Sequence, residues 1–137
     1  VKILRRQQSL RWRATLKGLI VMDIKRTGCY IRRNGLVVPA TVDEWAESFA
    51  TDDRIVDETY IRGIRISTVF LGIDYNFSCV GLPILYETMV FGGTLDQRCE
   101  RYCSETEAKI GHRRWVDRAK TELYGITKAI CDNDRKV

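Results

Sequence analysis

Two near-copies of one apolar pattern, Ser67 to Gly72 and Glu87 to Gly92, flank a polar loop in the middle of the chain. Each run is rich in the β-branched and aromatic residues that fit a pleated surface, and each ends at a glycine where the backbone can bend or admit another closely. They read as two paired strands of one sheet. Over Ile64 to Ile73, Ile64, Ile66, Thr68 and Phe70 share one face while Arg65, Ser67, Val69 and Leu71 share the other. Both faces turn apolar toward the end of that run, as in a central strand. After the loop Asp74 to Leu82, Pro83 leads the second strand, in which Ile84, Tyr86, Thr88 and Val90 alternate with Leu85, Glu87, Met89 and Phe91.

The neighbours of this pair extend it. Arg54 to Ile61 reads as a strand joined to Ile64 by a tight Arg62-Gly63 turn, which makes a three-strand meander. Upstream, Tyr30 to Arg32 and Leu36 to Val38 flank Asn34-Gly35, the dipeptide that best tolerates the positive φ angles of a two-residue hairpin turn. Pro39 is expected to end that pairing, because it has no N–H to give a ladder. Thr41 and Glu44 then form a capping box for a helix to about Ala50, with Val42, Trp45, Ala46 and Phe49 on its apolar face and Trp45 as its core anchor. A polar stretch after Gly92-Gly93 reaches Ser104, which with Glu107 opens the longest helix, to about Tyr124. Ala108, Gly111, Trp115, Ala119 and Leu123 make its buried stripe. The fold class is α+β, a small antiparallel sheet of hairpin plus meander packed with two amphipathic helices.

At 137 residues and 45% hydrophobic content, the chain has material for one domain, expected over residues 23–128 with a polar tail at 129–137. Residues 1–22 stand apart as a basic arm. They hold Lys2, Arg5, Arg6, Arg11, Arg13 and Lys17 and no acid, leaving 17 of the 23 basic residues against all 18 acidic ones. The body is therefore close to neutral, and any attraction for nucleic acid rests on Arg5, Arg6, Arg11, Arg13 and Lys17, with Trp12, Arg32 and Arg33 as helpers. Within the arm, Trp12, Leu16, Leu19 and Ile20 fall on one face of a possible helix. The alternative is an upstream extension over residues 1–21 that plays no part in function. No apolar run approaches the roughly 18 residues of a membrane span. With no export signal and five scattered cysteines, the expectation is free thiols in a cytoplasm. Cys99 and Cys103 have a C-x₃-C spacing, but His112 is the single histidine, too few ligands for zinc, so no metal or other cofactor is expected.

Several blocks in order, Trp45-Ala46, Asp53-Arg54, Thr68 to Phe77, Tyr86 to Gly93, Arg101-Tyr102 and Gly111-His112, resemble a family of small proteins encoded by bacteriophages and prophages. The pattern covers about half of the chain. The resemblance implies a phage or prophage accessory protein in the cytoplasm of a bacterial host, and carries no established activity or catalytic residues. Tyr75 departs from it, since similar proteins often have histidine there. A host or phage protein is the partner this suggests.

Among candidate site residues, Glu87 stands out as an acid within an apolar strand, where a carboxylate needs a partner or a raised pKa. Asp74 ends the neighbouring strand, and with His112 the two acids could line one pocket for acid–base chemistry, with Arg101 beside them. Asp74, Tyr75, Asn76, Glu87 and Arg101 are equally a binding cluster. The plainer reading pairs Glu87 with Arg101 or Arg65, gives Asp74 and Asn76 a turn to shape, and makes His112 a surface residue or a helix-to-sheet hydrogen-bond donor. The chain lacks a P-loop, a G-x-S-x-G elbow and a G-x-G-x-x-G fingerprint, so nucleotide hydrolysis and serine-hydrolase chemistry have no motif behind them.

Overall fold

A computed structural model of the chain describes residues 28–51, 53–78 and 80–130 in full, and 13–14, 20–21 and 131–134 by their backbone alone. The chain divides into two compact units, Val1–Thr51 and Asp52–Val137, so the span 23–128 expected as one domain contains the division.

In the first unit, β1 (Arg13–Ala14) pairs antiparallel with β2 (Ile20–Val21), a short ladder where the sequence suggested a helix. Arg5, Arg6, Arg11, Trp12 and Lys17 lie outside the described residues, as does the side chain of Arg13. β3 (Cys29–Arg33) and β4 (Leu36–Ala40) form the expected hairpin, with Asn34 and Gly35 both at positive φ in its turn. Pro39 does not end the pairing. It sits opposite Tyr30 on a strand with one neighbour, where a missing N–H is tolerated. The capping box of α1 (Val42–Thr51) is formed as read: Thr41 N–H donates to Glu44 Oε2 at 2.9 Å and Glu44 N–H to Thr41 Oγ1 at 3.2 Å. α1 has no buried residue, however, so Trp45 is not a core anchor; it meets Phe49 within its own helix.

The second unit is one antiparallel sheet with one helix across it. β5 (Ile55–Ile61), β6 (Ile64–Phe70), β7 (Tyr86–Phe91) and β8 (Cys99–Tyr102) pair in sequence order. β8 is a strand that sequence reasoning missed: it is short, half charged, and follows a turn with Gln97 at positive φ. Such short, charged sequences suit sheet edges, where they discourage pairing with another chain. The central register sets Thr68 opposite Thr88 and Val69 opposite Glu87. β6 stops at Phe70, three residues short of its expected end, and the chain turns at Gly72 (φ 68°).

α2 (Glu105–Asp134) runs ten residues past its expected end at Tyr124 and takes in much of the span read as a tail. Ser104 and Glu107 cap it reciprocally, each backbone N–H donating to the other's side chain at 3.2 Å. Ala108, Gly111, Trp115 and Ala119 are buried against the sheet, as the stripe predicted. Ile64, Ile66, Val90, Leu95, Trp115 and Ala119 form the core beneath it. No helix among the described residues is long and apolar enough to cross a membrane.

Candidate functional site

Strand alternation divides the candidate residues between two faces of the sheet. On β7, Tyr86, Thr88 and Val90 are buried toward α2, so Glu87, Met89 and Phe91 point to the other side.

The face beneath α2 carries a buried polar array. His112 is 2% exposed and bridges two strands: Nε2 lies 2.9 Å from Thr59 Oγ1 on β5, and Nδ1 lies 2.8 Å from Thr68 Oγ1 on β6. Thr68 Oγ1 is 2.6 Å from Thr88 Oγ1 on β7. Tyr102 donates to Glu100 Oε2 at 3.1 Å. Glu100 also accepts Arg114 Nη2 at 2.6 Å and Trp115 Nε1 at 3.1 Å. One hydrogen-bonded line thus crosses β5, β6 and β7, and a second group gathers on Glu100 at β8. Such a line satisfies groups that would otherwise cost about 1–3 kcal/mol each if buried unpaired.

The ionisable members are tuned by this setting. Burial pushes the His112 imidazole below its usual range; Asp57 opposes the shift and Arg113 adds to it. Burial also raises the Tyr102 hydroxyl, opposed by Thr88 and assisted by Glu100. Burial pushes the Glu100 carboxyl up, but the hydrogen bonds and charge of Arg114, with Tyr102 and Trp115, outweigh it and hold the group ionised below its ordinary value. Asp57 Oδ1 lies 3.7 Å from His112 Nε2, so a carboxylate, an imidazole and the Thr68 hydroxyl stand in the order of a nucleophile triad. Thr68 is 0% exposed, and its oxygen is enclosed by His112 and Thr88. In this arrangement the array fastens helix to sheet.

The opposite face brings together Glu87, Arg101 and Tyr75. Arg101 Nε donates to Glu87 Oε2 at 2.7 Å, and the same guanidinium lies 4.4 Å above the Tyr75 ring. Beside them Arg65 pairs with Glu58 at 3.2 Å and covers the Phe91 ring at 4.2 Å. Glu87 therefore has Arg101 as its partner, as the plainer reading held. Glu87 and His112 lie on opposite faces, so Glu87, Asp74 and His112 do not share a pocket. Asp74 shapes the loop: its Oδ1 accepts the N–H groups of Asn76 at 2.8 Å and Ile84 at 3.0 Å.

That loop, residues 71–85, is braced from within. Asn76 Nδ2 donates to the carbonyls of Val80 and Leu82, both at 2.8 Å, while Ser78 Oγ donates to Asn76 Oδ1 at 2.6 Å. Backbone bonds from Leu71 to Leu85 and from Tyr75 to Ile84 close its stem. The braced tip holds Phe77, Val80 and Leu82 in solvent, at 83%, 78% and 60% exposure. Burying an apolar side chain of this size stabilises a fold by roughly 1.5–3 kcal/mol, which the loop forgoes three times within six positions. Sequence reasoning placed Asp74, Tyr75 and Asn76 here and missed the apolar tip, whose signal was Phe77, Val80 and Leu82 within a stretch read as polar.

Cys29, Cys99 and Cys103 are free thiols. Burial, then the charges of Glu107 and Asp74, push the Cys103 thiol up, and its Sγ is 3.9 Å from the Leu82 carbonyl. It is a half-buried thiol beside the loop.

No family model, curated protein or solved structure matches the chain.

Proposed function

We propose that this chain is a phage or prophage accessory protein that works by binding a host or phage protein in the bacterial cytoplasm, with the loop tip Phe77, Val80 and Leu82 as its contact surface and Tyr75, Arg101 and Glu87 beside it. The observation that carries the reading is the apolar tip held outward on an internally hydrogen-bonded loop. Exposed apolar residues scattered singly need no explanation, whereas a group fixed on one rigid element suits a partner. Pre-ordering lowers the entropy cost of association, since the loop is not immobilised afresh on contact. The resemblance to phage-encoded proteins supports the biological setting.

The test is affinity capture from bacterial lysate with the wild-type chain and with Phe77→Ser/Leu82→Ser, both checked for folding by circular dichroism. The reading expects a partner retained at near-physiological salt by the wild type and lost by the double variant. Capture unaffected by the substitutions would remove the loop from the contact surface, and no reproducible partner would overturn the reading.

A second reading has its own observation, six basic residues and no acid within residues 1–22. In it the arm binds nucleic acid, with affinity falling steeply as salt rises. Deleting residues 1–21 should then abolish binding to a mixed-sequence duplex, and unchanged binding would refute it.

A further inference from the structure

We propose that the far end of α2, from residue 124 onward, is a contact surface whose occupant is a second copy of this chain. Two α2 helices lie antiparallel, and the last turn of each is seated in the groove that Ile61, Arg62, Lys120, Leu123 and Tyr124 form on the other. This surface shares no residue with the loop tip Phe77, Val80 and Leu82.

Val116, Ala119, Leu123, Ile126 and Ile130 follow one another at alternating steps of three and four, the spacing by which one helix packs its side chains into the holes of another. The first three meet the sheet: Ala119 is in the core, and Val116 and Leu123 pack against it. Beyond Leu123 the stripe is uncovered. Every residue from Tyr124 to Ile130 is exposed, Ile126 at 45% and Ile130 at 57%. The helix nevertheless continues to Asp134, so residues 124–134 project by about 16 Å. A helix holds its form mainly by packing an apolar face, and here that face is open. Gly125 is an independent sign of a neighbour. It stands inside the helix, where glycine is the weakest former after proline, yet a Cβ on it would meet nothing in the chain. Unlike Gly111, it makes room for no group of its own chain. Gly125 and Ala129, one turn apart, leave a low strip beside Ile126 on which a second helix can lie closely.

Symmetry and charge together select a second copy. Positions 123, 126, 130 and 133 are spaced three, four and three, a pattern that reads the same in reverse. An inverted copy therefore meets it layer by layer, with Ile126 over the other's Ile130 and Ile130 over its Ile126, as a two-fold contact requires. In that register the last turn of each α2 reaches the other's groove of about 170 Å³ beside Leu123. That turn holds no basic residue, and its carbonyls form the negative end of the helix dipole. The groove supplies two cations. Arg62 is held at φ 44° at the head of the β5–β6 turn, a conformation that asparagine or glycine adopts more readily. Lys120 has its acid, Asp117, at a distant 4.0 Å. Two helix ends and two small grooves fall short of the roughly 800 Å² per partner of a standard interface, so the dimer is a weak one that forms at high concentration.

Sedimentation equilibrium of the full chain between roughly 5 and 500 µM, the range so small an interface calls for, should show a reversible monomer–dimer equilibrium. Ile126→Glu/Ile130→Glu places charges in the contact and should leave a monomer throughout, with unchanged circular dichroism because both positions are exposed. Two further variants separate association from folding. Gly125→Leu suits the helix better and Arg62→Asn suits the turn better, so each should raise the thermal stability of the dilute monomer. The first should nevertheless abolish the dimer, and the second should weaken it several-fold, more at low salt than at high. A chain that is monomeric at every concentration would overturn the proposal. So would a dimer that persists in the Ile126→Glu/Ile130→Glu protein, or one unmoved by Gly125→Leu or by Arg62→Asn.

Discussion

Gly111 lies directly over the phenol of Tyr102. A Cβ built on Gly111 would collide with the Tyr102 hydroxyl and its ring carbons. The missing side chain is what lets the ring pass beneath α2 and set its hydroxyl on Glu100. Gly111 is thus a steric condition for the contact of Tyr102 with Glu100 beneath α2.

Gly111→Ala should therefore destabilise the protein, although alanine is the better helix former by about 1 kcal/mol. Overpacking of this kind costs about 1–3 kcal/mol, and the phenol that must give way is buried and bonded to Glu100. Urea denaturation measures the loss. Tyr102→Leu in the same chain should recover part of it, and additive effects of the two substitutions would show that they do not meet.

Acid should weaken the fold through His112. Its folded pKa is depressed below the unfolded value of about 6.5, so near that pH the unfolded chain binds the proton more readily. The stability is present above the unfolded value and is lost as pH falls from there toward the folded pKa. Denaturation curves between pH 8 and pH 5 should show this slope, and His112→Gln, where it folds, should lack the histidine contribution.

Removing the loop brace should act locally. Asn76→Ala deletes the two donors to the Val80 and Leu82 carbonyls, a loss of about 1–2 kcal/mol in loop ordering. Amide exchange across residues 76–82 should accelerate while protection in β6 and β7 stays. If the loop is the contact surface, partner binding should weaken as well, because the tip would then have to be ordered on association.

Ser104→Ala should cost about 1 kcal/mol, by leaving the Glu107 N–H without its side-chain acceptor at the start of α2. Ser104→Asp should recover most of the loss, since an aspartate at this position also accepts from the first turn and is favoured there by the helix dipole.

Much of the fold was legible because its signals are local. The Asn34-Gly35 turn, both capping boxes and the period-two runs of β6 and β7 each reside in a few consecutive residues. β8 was not legible, since Cys-Glu-Arg-Tyr carries no apolar alternation and is a strand through its pairing with β7. The Trp45 expectation failed for a related reason: periodicity shows that a helix has an apolar face, not that anything covers it. For the site, Glu87 with Arg101 could be read from charge and strand position. The polar line could not, because His112, Thr59, Thr68 and Thr88 come from four elements, and lone hydroxyls in strands look like ordinary β-formers.

The alternation along β7 also bears on how the chain reaches this state. Were β7 to pair with β6 one residue out of step, Glu87 would turn in toward α2, while Thr88 would leave the Thr68 hydroxyl. A mispaired sheet would thus bury a charge and lose the Thr68–Thr88 pair at once. The residues on the two faces of β7 therefore also select its register.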